Sequence, residues 1–274
     1  MTKKPMLCPK CGRLIGSNES SCSWCGASRP SALLAAFLPR GAVNGDWIPR
    51  AIITVNAAFY IATLLLGAGG GGGLFGSLSP DRTGLLLLGA TGTVPVEELG
   101  RTWTLITANY LHGGILHILF NMMALHQLAP LVIQEYGPNR MFIIYTLGGI
   151  FGFWISCLAG VPFTIGASAA VCGLIGALLY FGKSRGGAYG EAVFRDVTGW
   201  IVGLVLFGLL VPGINNWGHG GGIVGGIILG MVLKYKEKGR ETSLHRTLAL
   251  VCASVTAAAL GWALFTGVLF RFGQ

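Results

Sequence analysis

Seven apolar runs, broken by glycine and bounded by short polar turns, dominate the chain: roughly 50–67, 112–131, 141–159, 167–182, 197–211, 217–233 and 247–269. Crossing ~30 Å of hydrocarbon takes ~20 apolar residues in a helix, and each run is near that length. The pattern predicts an all-α polytopic membrane protein with seven spans. Several runs are short and glycine-rich, as expected of helices packed closely inside a bundle. Composition agrees: 53% of residues are apolar, 11% are charged and 45 are glycine, which excludes an ordinary soluble domain.

Charge sets the expected orientation. With the N-terminus in the cytoplasm, sixteen of the nineteen Lys and Arg residues lie inside, in the head, in the turns containing Arg140 and Lys183–Arg195, and in the segment from Lys234 to Arg246. Only Arg82, Arg101 and Arg271 remain outside, and the C-terminus is also external. The net charge of +9 is thereby assigned to topology and anionic lipid, with no nucleic-acid partner invoked. No cleavable signal peptide is expected, because the first apolar run begins only near residue 50.

Ahead of the spans, residues 8–26 read CPKCGRLIGSNESSCSWCG. Cys8 and Cys11 form one C-x2-C knuckle and Cys22 and Cys25 a second, each followed by glycine, a spacing that suits tetrahedral Zn²⁺. A reducing compartment keeps such thiolates available; two local disulfides are the alternative. Four cysteines leave no open position for water, so the zinc is expected to be structural. This reading divides the chain into a zinc ribbon (1–28), a linker (29–49), a six-span core (50–234), and a loop with the seventh span (235–274). Cys157, Cys172 and Cys252 fall within spans and read as small packing residues.

Candidate chemistry lies in three separated stretches: HGGILHILFN (112–121), GASAAVCG (166–173) and GHGGGIVGG (218–226). They place a serine, three histidines and an asparagine at hydrocarbon depth, where polar groups are costly and mark function by default. Ser168 opens the fourth run among small residues and His219 opens the sixth, so both sit at the same end of helices running in one direction. Gly222, Gly226 and Gly230 repeat every four residues and offer a face for close docking. The pair reads as a nucleophile and its base; packing is the competing role for each alone. His117 and Asn121, four apart on one helix face, read as hydrogen-bond donors to an oxyanion, or as a local polar pair that stabilises the bundle.

Together these motifs resemble the rhomboid intramembrane serine proteases. His112, His117 and Asn121 match the family's H-x4-H-x3-N pattern. Gly166-Ala167-Ser168 matches its G-x-S nucleophile, and Gly218-His219 with the glycine stripe matches its sixth span. EYGPNR (135–140) resembles the family's cytoplasmic turn, 85–111 its first external loop, and the last span its "six plus one" form. The resemblance implies a rhomboid-like six-helix bundle plus one C-terminal transmembrane helix, preceded here by the zinc ribbon. It also implies a Ser–His dyad that cleaves transmembrane segments of single-pass or multi-pass membrane proteins through an acyl-enzyme, with no catalytic cofactor. The expected setting is the lipid bilayer of a bacterial plasma membrane, with the site open to the extracytoplasmic side. Asn109, His112, Asn215 and Asn216 are candidates to line its aqueous cavity, Trp103 and Tyr110 to anchor the first loop at the interface, and the short loop 212–217 with the fifth span to gate it.

Three positions depart from the family pattern. Ala169 replaces a glycine after the nucleophile, Cys172 replaces an aromatic residue that packs on the imidazole, and Thr104 follows Trp103 where the family has arginine. An alternative is therefore a catalytically silent rhomboid-like protein that binds or escorts membrane clients. A small-solute or ion transporter lacks its expected marks, since acidic residues fall in loops and tails and no repeat is evident.

Overall fold

The structure is a computed structural model that describes residues 6–7, 14–16, 19–23, 45–67 and 78–273. Two short strands, β1 (Met6–Leu7) and β2 (Leu14–Ile15), pair antiparallel with Met6 opposite Ile15. The segment joining them carries Cys8 and Cys11, which lie outside the described residues, as do Cys25, the linker up to residue 44 and the Gly69–Gly73 run.

α-Helices dominate the rest of the described chain. They are α1 (Trp47–Leu66), α2 (Arg82–Leu87), α3 (Thr104–Thr107), α4 (Ile115–Tyr136), α5 (Pro138–Leu158), α6 (Ser168–Arg185), α7 (Gly187–Leu210), α8 (Asn216–Leu233) and α9 (Ser243–Phe272). Among the described residues, α1, α4, α5, α7 and α9 are long and apolar enough to cross a membrane. The chain is an integral, multi-pass membrane protein. Helices α6 and α8, at 18 residues each, are also of spanning length (~27 Å at 1.5 Å per residue). They carry the glycines and polar residues of the candidate site, and they sit inside the bundle.

That position follows from side-chain size. A β-carbon on Gly226 would overlap the Gly173 carbonyl oxygen, one on Gly222 the Ala169 carbonyl oxygen, and one on Gly176 the Ile223 carbonyl oxygen. Helix α5 joins them through the same device: a β-carbon on Gly152 would lie 2.6 Å from the Gly218 carbonyl oxygen and 3.0 Å from the Ala169 Cβ. Three backbones thus meet with almost nothing between them, and association rests on dispersion and polar contacts. The aliphatic core lies beside this seam, among Leu125, Val132, Met141, Ile144, Leu174 and Leu178.

At the far end from Ser168 the turn is locked by polar groups. Gly137, at φ +98°, ends α4, and Pro138 starts α5 without a wasted N–H. The Glu241 carboxylate accepts from Asn139 N–H (2.9 Å), Arg140 N–H (3.2 Å) and Asn139 Nδ2 (2.9 Å), as expected of an anion at a helix N-terminus. Arg140 is a correction to the sequence reading, which counted it as a loop charge. It is 1% exposed, and its guanidinium donates to the Lys234 (2.7 Å), Gly239 (2.8 Å) and Tyr136 (3.3 Å) carbonyls. The Tyr136 and Lys234 carbonyls lie at helix ends, where they lack intrahelical partners, and Gly239 lies in the loop after α8.

A second correction concerns α7, which begins at Gly187, ten residues before the expected boundary near 197. Glu191, Arg195 and Asp196 stay exposed on a helical first half, so a polar stretch that resembles a loop continues the helix. Beyond Val197 the helix has no buried residue. Helix α9 packs on α5, α3, α2 and α1, away from α7.

The glycine seam makes a directional prediction. Gly226→Ala should lower the unfolding midpoint by an amount equivalent to about 1–3 kcal/mol of overpacking. Gly220→Ala, at a position with nothing within 4 Å, should leave it unchanged in a thermal or denaturant titration in detergent.

Candidate active site

Ser168 is the first residue of α6. The chain reaches it along an extended segment whose Thr164 exchanges both backbone hydrogen bonds with Thr91 (2.7 and 3.0 Å). Gly166 N–H then donates to the Ala108 carbonyl (2.9 Å). Gly166 has φ +123°, a conformation that side-chain-bearing residues rarely adopt, and it lies between two functional candidates. A β-carbon there would stand 2.7 Å from His117 Nε2 and 3.6 Å from Ser168 Oγ. Glycine is thus required by conformation and by space. The first turn of α6 has no side-chain cap, which leaves its N–H groups pointing out of the helix end beside Ser168.

His219 enters from α8. Asn215 caps that helix, its Oδ1 accepting from Gly218 N–H at 2.9 Å, and His219 N–H donates to the Asn215 carbonyl at 3.1 Å. Because Gly218 and Ala169 both abut Gly152, and Gly222 abuts Ala169, the starts of α6 and α8 are side by side. Ser168 Oγ has no hydrogen-bond partner among the described residues, and neither does His219 Nδ1. Both residues remain partly exposed, as does His117. The serine and imidazole therefore share one end of the bundle, without a direct hydrogen bond in this state.

His117 has its role partly fixed by its neighbour. Gly113 N–H donates to His117 Nδ1 (3.3 Å), which assigns the proton of the neutral ring to Nε2, the nitrogen facing Gly166. Nε2–H is then a donor aimed beside Ser168. Asn121 is buried, and its Nδ2 donates back to the His117 carbonyl (2.9 Å), so one of its two N–H groups is used within α4. His112 is fully buried, stacked edge-on against His117 with ring centroids 5.0 Å apart, and both of its nitrogens lack a protein partner. It does not face an open cavity, contrary to the sequence expectation. Two buried polar nitrogens at one site are where an ordered water is expected.

Other expectations divide. Cys172 is 1% exposed, and a β-carbon on Gly222 would lie 3.0 Å from its Cβ, so the structure has room for a small residue and none for an aromatic wall. Asn109 is buried against Gly149, with Nδ2 donating to the Leu105 (3.0 Å) and Ile106 (3.3 Å) carbonyls, so it does not face the outside. Tyr110 is 4% exposed and packs edge-on against Tyr145, so it is a core residue, not an interfacial anchor. Asn216 is exposed and donates to the Gly208 carbonyl (3.0 Å), which ties the start of α8 to the end of α7. Of the four zinc candidates only Cys22 lies among the described residues, where it is buried. No group of three or more metal-binding side chains converges among the described residues.

The polar cluster of Asn215, Ser156 and Thr164 was missed as a unit. Asn215 Nδ2 donates to both hydroxyls at 2.8 Å, and Ser156 Oγ donates to the Gly152 carbonyl at 3.0 Å. The signal in the sequence was an asparagine three residues before Gly218, at a helix start.

A family profile described as Rhomboid domain matches residues 99–236, just over half of the chain. Rhomboid protease GluP of Bacillus subtilis (strain 168) is 35% identical over 125 residues, 46% of this chain and 25% of that protein. RHOMBOID-like protein 5 of Arabidopsis thaliana is 40% identical over 105 residues, 37% of this chain and 34% of that protein. Inactive RHOMBOID-like protein 8 of the same plant is 33% identical over 104 residues, 37% of this chain and 29% of that protein. The chain thus spans about a quarter to a third of the length of these curated relatives. Since they come from a bacterium and a plant, similarity does not assign the chain to a bacterial membrane.

The left-handed turn is testable by itself. Gly166→Ala should destabilise the protein by about 1–3 kcal/mol, the typical cost of a strained backbone position; an unchanged midpoint would show that the turn relaxes freely. The arrangement of the site and the match over 99–236 agree: the chain belongs to the rhomboid family.

Proposed function

We propose that the protein is an intramembrane serine endopeptidase that cleaves transmembrane segments of other membrane proteins. The observation that carries this reading is the convergence of Ser168, His117 and the start of the His219 helix at one end of a glycine-packed bundle. His219 takes the proton of Ser168 Oγ as the oxygen attacks the scissile carbonyl, then delivers it to the departing amine. Water, deprotonated by the same imidazole, hydrolyses the acyl-enzyme. The oxyanion is held by His117 Nε2–H, the free N–H of Asn121 Nδ2 and the exposed N–H groups of the first turn of α6. Such a donor is worth ~2.7–4 kcal/mol to the transition state. The absence of a direct Ser168–His219 hydrogen bond among the described residues is compatible with a resting enzyme, because catalytic hydrogen bonds often tighten only when substrate binds.

The substrate is a single-pass or multi-pass membrane protein whose helix unwinds at small residues, since extended backbone in lipid is tolerated only against protein or water. Its route in is between α4 and α7, where Phe120 and Met123 on one side and Leu206 and Phe207 on the other are exposed. Helix α7 has no fully buried residue beyond Val197, and its far end is tied to α8 by the Asn216–Gly208 hydrogen bond. The positive-inside rule supports a site on the extracytoplasmic side, because Lys183, Arg185, Lys234 and Lys238 belong to the end opposite Ser168. Cys8, Cys11, Cys22 and Cys25 are proposed to hold one structural Zn²⁺. A strand pair flanking Cys8 and Cys11, and a buried Cys22, fit that donor set.

The second reading, a silent member that binds membrane clients, is favoured by the lack of a direct Ser168–His219 hydrogen bond among the described residues and by the existence of an inactive relative. Reconstitution with a reporter transmembrane substrate separates the two. Ser168→Ala and His219→Ala should each abolish cleavage without altering the unfolding midpoint, whereas cleavage retained in either variant removes the dyad. In the ribbon, Cys8→Ser with Cys11→Ser should release about one equivalent of zinc per chain, as expected when a four-thiolate site is dismantled. Cleavage in detergent should persist in that variant, and its loss would make the ribbon integral to the core.

A further inference from the structure

We infer that Asn215 is a positioning residue that sets how closely His219 approaches Ser168, an inference that rests on the protease reading above. Every polar atom of this residue's side chain is engaged. Oδ1 caps α8 at Gly218 N–H (2.9 Å), while Nδ2 gives its two hydrogens to Ser156 Oγ and Thr164 Oγ1, both at 2.8 Å. The amide orientation is fixed by this pattern, since Gly218 N–H needs an acceptor. The Asn215 carbonyl also receives His219 N–H (3.1 Å), so one residue holds the base's helix through its side chain and its backbone.

The two hydroxyls belong to the other partners of the site. Thr164 lies four residues before Ser168, in the segment pinned to Thr91 by two backbone bonds and to Ala108 through Gly166. Ser156 lies one turn after Gly152, the glycine on which Gly218 and Ala169 both rest. Asn215 therefore clasps three elements at one point: the base's helix, the nucleophile's approach segment, and α5 between them. No charged group takes part, so its effect on catalysis is geometric. With the clasp cut and the cap kept, α8 still starts at the same residue, but nothing polar sets its first turn against Thr164.

Asn215→Ser makes that cut, because serine caps a helix about as well as asparagine yet is too short to reach both hydroxyls. Thr164→Val makes it from the other side. In the full-length protein reconstituted with a reporter transmembrane substrate, each variant should lower kcat on the order of 10- to 100-fold, the scale of a ~1 Å misplacement. KM should stay within about twofold, and the double variant should be no slower than the slower single one. Losses that multiply in the double variant, or an effect confined to KM, overturn the proposal.

A second arm is independent of activity. In a Ser168→Cys, His219→Cys protein, dibromobimane bridges the two thiols, and the bridged peptide is followed by mass. Adding Asn215→Ser should slow bridging several-fold; equal rates overturn the clasp. Slower bridging in a protein whose unmodified form cleaves nothing would sink the protease reading alone.

Discussion

Backbone contact between α5, α6 and α8 is the constraint on which the rest of the molecule depends. In a bilayer, lipid is as apolar as the side chains it would replace, so helices associate through close packing and polar contacts. Here glycine removes the side chains at the contact altogether. Gly152, Gly222 and Gly226 each rest on a neighbour's main chain, and that fixes axial register as well as distance. Register is what matters for the site. It sets Ser168 and His219 at the same level, on the first turns of two helices running in the same direction.

The two ends of the bundle are built differently. Opposite the site, buried Arg140 and the Glu241 carboxylate hold the α4–α5 turn to the segment after α8. At the site end, the loops are pinned by backbone pairing at Thr91 and Thr164 and by the Asn215 clasp, while α7 has no fully buried residue beyond Val197. A polar-locked floor, a glycine-packed seam and a wall of exposed apolar side chains suit the proposed reaction, in which substrate enters sideways. They also suit a site that must admit water yet stay within the bilayer.

Much of this was legible in the residues. Seven apolar runs correspond to the seven helices of 18 residues or more among the described residues, and the four-residue glycine repeat marked the α8 face that meets α6. Ser168, His117 and His219 were singled out because polar groups are costly at that depth, and the structure brings their elements together. The boundary of α7 was not legible, because a helix that leaves the lipid loses its apolar pattern before its hydrogen bonding ends. Arg140 misled for a related reason: its sequence context marks a turn, but only the fold reveals the three carbonyls that solvate it. Asn109 and Tyr110 read as lining or anchoring residues because they are polar, yet each is buried by a partner from a distant segment, Gly149 and Tyr145. The Asn215 clasp needs Ser156 and Thr164, which are far away in the chain. Sequence spacing carries no trace of such a meeting.

The most direct test of the central claim, that this packing leaves one hydroxyl activated beside one imidazole, is the site and extent of fluorophosphonate labelling in detergent, mapped by peptide mass. The account predicts a single phosphonylated residue, Ser168, with labelling lost in His219→Ala. Label on a different serine, no label on folded protein, or undiminished labelling without the imidazole would contradict it.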